Sequence, residues 1–180
     1  NFLSTPWKKM DDFENSEKYL NEGIIFLENG QLRLAFEAFT KAIELNPKNS
    51  AAFSRRGEMN LYDLKNYVAA IKDFSSEIKI EPNNEFAYID RGKSYAKFNK
   101  HENAIKDFTK AIKINPNSIE AYKLRGISYD LNNDTSKALN DYKVAAKLGD
   151  KECLNWIEEF KPKRLNEYSD IDLATMSNIE

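Results

Sequence analysis

The sequence has very little cysteine, histidine or uninterrupted apolar sequence. Cys153 is the single cysteine in 180 residues, so an internal disulfide is excluded. His101 is the single histidine, and no cluster of Cys, His or carboxylate residues at metal-ligand spacing accompanies it. We therefore expect no metal and no other cofactor. No stretch of apolar residues is long enough to span a bilayer, which predicts the absence of a membrane span.

The charges are nearly balanced, with a formal net charge of −2. This balance provides no basic surface of the kind that nucleic acids need, so nucleic acid is not an expected partner. The sequence also lacks the glycine-rich phosphate-binding motifs and the G-x-S-x-G nucleophile motif. We therefore expect no enzymatic activity and no small-molecule substrate. The chain begins at Asn1 rather than Met, so the compartment stays open, with the cytoplasm as the default.

Two sequence elements recur along the chain. One occurs as "AFEAFTKAIELNP", "AIKDFSSEIKIEP" and "AIKDFTKAIKINP". The other, upstream of each, is an aromatic residue followed four positions later by glycine, and it occurs four times. Both elements have the apolar spacing of an amphipathic helix. A glycine inside a helix costs about 1 kcal/mol relative to alanine, so its recurrence predicts close packing of paired helices. The expected contact is with an alanine 12 or 13 residues later. The glycines are Gly23, Gly57, Gly92 and Gly126, and the alanines are Ala35, Ala70, Ala104 and Ala138.

This pattern resembles the tetratricopeptide repeat family, whose units are helix–turn–helix hairpins of about 34 residues. The resemblance implies an all-α, right-handed α-solenoid. We place four repeats within 16–152, at 16–49, 50–84, 85–118 and 119–152, and a capping helix at 153–161. A terminal half repeat of this kind covers the last apolar face of an array.

The two ends lie outside these repeats. Residues 1–15 form an N-terminal extension that is expected to start a helix at Pro6, with Thr5 as its N-cap. Its residues Trp7, Met10 and Phe13 either cover the open face of the array or contact a partner. Residues 162–180 have no sustained periodicity, so this tail is expected to be flexible, and Pro162 is expected to end the capping helix.

Arginine and aspartate co-occur in three of the four repeats. In the second, third and fourth repeats, arginine directly precedes the repeated glycine, and aspartate directly precedes the aromatic residue of the second helix. The first repeat has Glu22 and Ala38 at these positions and so lacks both partners together. This joint absence predicts ion pairs within each repeat that fix the register of its two helices. The predicted pairs are Arg56–Asp73, Arg91–Asp107 and Arg125–Asp141.

The second repeat departs from the pattern in two ways. Glu77 occupies the position held by Ala42, Ala111 and Ala145 in the other repeats, and one additional residue lies between Gly57 and Ala70. Burial of an unpaired carboxylate costs several kcal/mol (about 2–7) unless the group finds a partner or changes its pKa. We therefore predict that the second repeat is the least stable.

The resemblance implies a non-catalytic protein–protein interaction scaffold that binds a peptide segment of another protein in a concave groove. The expected groove residues lie on the first helices: Ile24, Ser54, Glu58, Ile89, Lys93, Lys97, Lys123 and Ile127. The three lysines favour an acidic partner segment. One alternative is a structural or assembly subunit that uses its convex face or terminal segments. Another is a single-stranded RNA-binding α-solenoid, which the charge balance disfavours.

Overall fold

A computed structural model describes the backbone of residues 6–164 and the side chains of residues 10–158. Within residues 6–164 the chain forms nine α-helices and no strand, which confirms the predicted all-α fold class. The helices are α1 Pro6–Glu28, α2 Leu32–Leu45, α3 Ser50–Tyr62, α4 Tyr67–Ile80, α5 Glu85–Lys97, α6 His101–Ile114, α7 Ile119–Leu131, α8 Thr135–Lys147 and α9 Lys151–Arg164. The described residues divide into two compact units, one with α1–α6 that ends at Pro116 and one with α7–α9 that begins at Asn117.

Consecutive helices pack as hairpins within each unit. In the first unit α1 pairs with α2, α3 with α4 and α5 with α6, and the hairpins stack through contacts of α2 with α3 and of α4 with α5. In the second unit α7 pairs with α8, and α9 packs against α8. In this last contact the Trp156 and Tyr142 ring centroids are 4.6 Å apart. Asp150, which stands where a proline would end the fourth repeat, accepts a hydrogen bond from the Cys153 N–H (2.7 Å) and so starts α9.

The turn inside each hairpin contains a residue with positive φ. In the first, third and fourth hairpins, a backbone N–H donates to the carbonyl five residues earlier and closes this turn, as Lys100 N–H does to the Tyr95 carbonyl (2.8 Å). In the second hairpin, the Asn66 N–H instead reaches back to the Asn60 carbonyl (2.7 Å). The additional residue of this repeat is therefore accommodated in the α3–α4 turn, and neither helix is interrupted. The positive-φ residues are Gly30, Lys65, Asn99 and Asn133.

The repeated glycine lies against an aromatic ring, not against the alanine that the sequence analysis expected. A Cβ added at Gly92 would lie 2.5 Å from Cε1 of Phe108, which follows Ala104 by one helical turn on α6. The other three glycines face the corresponding rings of Phe39, Phe74 and Tyr142. Helical periodicity places the alanine and the ring on one face, but it does not say which of the two meets the partner helix. The close approach itself is as predicted.

We expect Gly92→Ala to destabilise the chain by about 1–3 kcal/mol, because the fully buried Phe108 ring has no room to move away from the added methyl group. Helix propensity alone would predict that Gly92→Ala stabilises the chain, since alanine is the better helix former by about 1 kcal/mol. Urea unfolding measures the difference. Gly92→Ala/Phe108→Leu, with a smaller side chain opposite the methyl group, should lose less than the two single changes combined. A Gly92→Ala chain as stable as the wild type would contradict this account of the glycine.

The ends differ from the expected boundaries. The helix expected to start at Pro6 does start there, but residues 6–15 are not separate from the first repeat, because α1 runs without interruption from Pro6 to Glu28. Ser16, expected to begin the first repeat, is fully buried and donates a hydrogen bond to the Ala42 carbonyl (2.8 Å). The helix α9 continues through Pro162 to Arg164, so Pro162 does not end it. Thr5, the expected N-cap, and the tail from 165 onward lie outside the described residues.

Candidate protein-binding faces of the repeats

Three arginine–aspartate pairs join the two helices of the second, third and fourth hairpins. In each, the Nη2 atom of arginine lies 2.7 Å from Oδ1 of aspartate, and Nε donates to Oδ2. The aspartates are buried and the arginines are mostly buried. This two-bond geometry holds the helices in register. The pairs are Arg56–Asp73, Arg91–Asp107 and Arg125–Asp141, the three that the sequence pattern predicts.

Two of these arginines also contact the preceding hairpin, which the sequence analysis missed. Arg56 Nη1 donates to Thr40 Oγ1 on α2 (3.2 Å), and Arg91 Nη1 donates to Ser75 Oγ on α4 (3.1 Å). Each arginine therefore connects three helices. A sequence signal for these bonds existed, because a hydroxyl residue directly follows the second-helix aromatic residue in both repeats.

The pKa shifts of the paired arginines and of Asp107 follow from burial and from the hydrogen bonds within the pairs. Hydrogen bonds that Arg91 and Arg125 donate to their partner aspartates raise the pKa of both arginines. Burial raises the pKa of Asp107, and the hydrogen bond from Arg91 opposes that rise. The charged groups of these pairs thus serve to hold helices together.

The expected groove residues of the first unit differ widely in exposure. Ile89 is 2% exposed and belongs to the core, so the expectation that it faces a partner is wrong. Ile24 is partly buried against the core of the first hairpin. Lys93 Nζ lies 3.1 Å from Oδ1 of Asp90, one turn earlier on α5. Lys97, at the end of α5, is exposed.

Ser54 and Glu58 complete the predicted set in the first unit. Both lie on α3 and are partly buried. Glu58 Oε2 accepts from Arg55 Nη1 (3.1 Å), so its charge has a local partner as well. The first-helix surface around Ser54, Glu58 and Lys93 is therefore polar, and its charged side chains are mostly paired with neighbours of opposite charge.

The second unit presents an apolar strip on α7. Ile127 and Leu131 lie one turn apart and are 40% and 60% exposed.

Lys123, one turn before Ile127, forms ion pairs with Asp150 (3.5 Å) and Glu152. Its pKa is raised, first by the hydrogen bond to Glu152. Lys93 and Lys123 thus have acidic neighbours, and the expectation that they attract an acidic partner segment is not supported.

Glu77 is the most unusual group in the first unit. Its side chain is 4% exposed, and Oε1 accepts from Asn84 Nδ2 at 3.1 Å. Oε2 is buried and has no hydrogen-bond partner among the described residues. Burial is the main cause that raises the pKa of Glu77 to about 7, and the carboxylates of Asp90, Glu81 and Glu58 raise it further. The Ser54 hydroxyl lowers this pKa, although it does not reach hydrogen-bonding geometry with Oε2.

The single cysteine and the acidic side chains offer no reactive or metal-binding site among the described residues. Burial raises the pKa of the Cys153 thiol to about 11, so the reactive thiolate is scarce at neutral pH. Within residues 10–158 no three His, Cys, Asp or Glu side chains are grouped so that they could hold a metal ion. No helix among the described residues has the length and apolar character needed to cross a membrane.

Apolar surface also occurs outside the predicted groove residues. Met10 and Phe13 on α1 are about half exposed. A separate cavity of about 420 Å³ is lined by apolar Leu32, Phe36 and Leu64 and by the polar pair Arg33 and Glu37. These surfaces belong to the first unit.

Comparisons with known proteins agree with the fold. Three family models, each described as a tetratricopeptide repeat, match residues 20–85, 86–118 and 108–140. Over 99 residues the chain is 31% identical to the DnaJ homolog subfamily C member 7 homolog of Dictyostelium discoideum, a match that covers 53% of this chain and 18% of that protein.

Solved structures give the same architecture. A crystal structure of MamA matches with a TM-score of 0.72 and 26% identity, over 77% of this chain and 80% of that one. MamA from Desulfovibrio magneticus RS-1 matches with a TM-score of 0.69 and 23% identity, over 74% and 75% of the two chains, a likeness of fold. The chain belongs to the tetratricopeptide repeat family and has the architecture of a protein–protein interaction scaffold.

Proposed function

We propose that the chain binds an extended or helical segment of a partner protein on the first-helix faces of its repeats, without chemical turnover. The observation that carries this proposal is the exposed apolar strip of Ile127 and Leu131 on α7. The repeat framework does not need these side chains, because α7 is already held to α8 by the Gly126–Tyr142 contact and the arginine–aspartate pair. Exposed apolar side chains on a predicted binding face are typical anchor sites.

The partner is expected to be a protein, and we propose neither nucleic acid nor a small-molecule substrate as ligand. The net charge of −2 and the internal pairing of Lys93 and Lys123 favour apolar and hydrogen-bonding contacts over recognition of polyanions. A small contact surface of this kind supports an affinity near micromolar, about −8 kcal/mol.

The alternative function is that of an assembly subunit that uses its N-terminal helix or the side opposite the binding faces. The exposed Met10 and Phe13 on α1 and the cavity lined by Leu32, Phe36 and Leu64 favour this alternative. The two functions use different residues, so substitutions can separate them.

Capture of partners by the immobilised chain, followed by mass spectrometry, tests the choice. Ile127→Ser/Leu131→Ser should reduce the recovered partner at least tenfold, because about 2 kcal/mol or more of apolar contact is lost at such anchors. Met10→Ser/Phe13→Ser is the matched control, since it also replaces two exposed apolar residues one turn apart.

The reverse pattern would overturn the proposal. If Met10→Ser/Phe13→Ser removes every captured protein while the α7 variant retains them all, the assembly function is correct. Circular dichroism of both variants should match that of the wild type, because the substituted side chains are exposed.

A further inference from the structure

The second repeat exchanges the sizes of two side chains relative to the first and third repeats; the fourth repeat has Lys123 at the first of these positions and Ala145 at the second. The residue after the first-helix aromatic is Leu20 in the first repeat and Ile89 in the third, and both are buried. The second repeat has Ser54 there. At the small position of the second helix it has Glu77 in place of alanine. In the first hairpin Leu20 belongs to the same buried cluster as Ala42. A large–small pair has thus become a small–large pair, so Glu77 occupies volume that Ser54 leaves.

The consequence is a carboxylate at the base of the first-helix face. The Ser54 hydroxyl on α3 and the carboxylates of Glu58 on α3 and Asp90 on α5 all act on Glu77 electrostatically. Because Ser54, Glu58 and Asp90 lie on first helices, Glu77 is directed from α4 toward that face. One of its two oxygens is satisfied by Asn84, and the other has no partner in the described residues. An unsatisfied buried oxygen of this kind needs an explanation.

The charges around Glu77 indicate what would satisfy that oxygen. Glu81, in the turn after α4, adds a third carboxylate to those of Glu58 and Asp90. The neighbouring cations Arg55 and Lys93 bind Glu58 and Asp90 respectively, each at 3.1 Å. Within residues 10–158 no ion pair involves Glu77 itself. A positively charged hydrogen-bond donor is the group that such a carboxylate binds most strongly.

We propose that the recess formed by Ser54, Glu58, Glu77 and Asp90 binds one Lys or Arg side chain of the partner segment. This inference rests on the proposed function and adds the chemistry of one anchor. The basic group would contact Oε2 of Glu77 and the Ser54 hydroxyl. Because Oε2 is itself buried, binding requires the Glu77 side chain to rotate toward Ser54.

Binding of the cation should release a proton near neutral pH. The pKa of Glu77 is about 7, so a large fraction of these carboxyls is protonated at neutral pH. A cation favours the ionised form and lowers this pKa. Affinity for the basic anchor should therefore rise as the pH increases toward and through 7, and level off above it.

Titration of the full chain with a minimal basic ligand tests the recess directly. Acetyl-arginine amide is the probe, and acetyl-citrulline amide, which has nearly the same shape without the charge, is its control. Carbon-13 NMR of labelled glutamate carboxyls follows the ionisation of Glu77, whose signal is identified by its loss in Glu77→Gln. The arginine probe should lower the Glu77 titration midpoint by about half a pH unit or more, and the citrulline probe should leave it unchanged.

Two variants give the matched comparison. Ser54→Ile/Glu77→Ala restores the large–small pair of the third repeat, so it should fold and yet lose the response of α3 and α5 amide signals to arginine. Glu102→Gln, which removes an exposed charge on α6 that does not act on Glu77, should keep that response. The inference is overturned if both probes shift Glu77 equally, if neither shifts it, or if the double variant responds like the wild type.

Selection of random displayed peptides on the full chain separates this inference from the proposed function. Peptides bound through the first helices and enriched in Lys or Arg support both, and their affinity should fall at least tenfold in Glu77→Gln. Peptides that bind there without a basic residue, and without dependence on Glu77, overturn the basic anchor and leave the proposed function standing. If no peptide binds while the arginine probe still shifts Glu77, the proposed function fails and the cation recess stands.

Discussion

Arg91→Met is expected to destabilise the chain by about 3–5 kcal/mol at neutral pH, because it leaves Asp107 buried without its two strongest donors. In the structure, Arg91 Nε and Nη2 donate to the two oxygens of Asp107 at 2.8 and 2.7 Å. The same guanidinium donates to Ser75 on α4, so the substitution also loosens the contact between the second and third hairpins. Urea unfolding followed by circular dichroism measures the loss.

The control for this prediction is an arginine–carboxylate ion pair on the protein surface, with an N–O distance of 3.3 Å. Arg33 and Glu37 lie one turn apart on α2, and both side chains are mostly exposed. Arg33→Met should cost about 0.5 kcal/mol or less, because water and salt screen an exposed pair. Equal losses of unfolding free energy for Arg33→Met and Arg91→Met would show that the buried pair contributes no more to stability than the exposed one.

A double variant separates loss of the pair from burial of an orphan charge. Arg91→Met/Asp107→Leu removes both partners, so no uncompensated carboxylate remains in the hairpin. It should be more stable than Arg91→Met alone, since apolar replacement of a buried pair is often close to neutral. If the double variant is the less stable of the two, the cost arises from lost packing and not from the charge of Asp107.

The sequence allowed the helices and the ion pairs to be predicted for a physical reason. Repetition supplies internal comparisons, and the first repeat, which lacks both Arg and Asp, served as the natural negative case. The pairing of Arg56 with Asp73 could be inferred from that joint absence, because pairing each aspartate with the arginine of the next repeat would leave Arg56 and Asp141 without partners.

Other features depend on tertiary distances that periodicity does not contain. Ile89 shares the helical position of Ser54, yet it is buried while Ser54 is only partly so. Lys123 was expected to face a partner, but its charge meets Asp150 and Glu152, almost a full repeat later in sequence. The exposure and pairing of a groove residue depend on the side chains that pack against it in the fold. The helical pattern of a single sequence does not identify those side chains.

The Glu77 substitution should make the second repeat sensitive to pH. The pKa of Glu77 is about 7 in the folded chain, against a reference value of 4.5. Between these two values the unfolded chain is ionised at this residue while the folded chain retains the proton, so stability falls as the pH rises from 4.5 to about 7. The total loss is on the order of 3 kcal/mol, and above pH 7 it does not grow further.

Glu77→Gln should abolish this loss, because the amide keeps the shape of the protonated acid and cannot ionise. The stability difference between Glu77→Gln and the wild type should therefore favour the variant by about 3 kcal/mol more at pH 8 than at pH 4.5. Contributions from Asp107, whose pKa is raised, and from Asp150, whose pKa is lowered, are common to both chains and cancel. Glu81→Gln is the control and should change stability by about 0.5 kcal/mol or less at both pH values.

Amide hydrogen exchange locates the same effect in the chain. At about pH 8, where Glu77 is mostly ionised, wild-type amides in 50–82 should exchange faster than those in 101–115, because the buried charge lowers the local opening free energy of α4. In Glu77→Gln this contrast should diminish, while the exchange of α6 stays the same. Wild-type α4 amides that exchange as slowly as those of α6 at this pH would mean that the ionised carboxylate finds a donor, and the predicted stability difference should then be absent too.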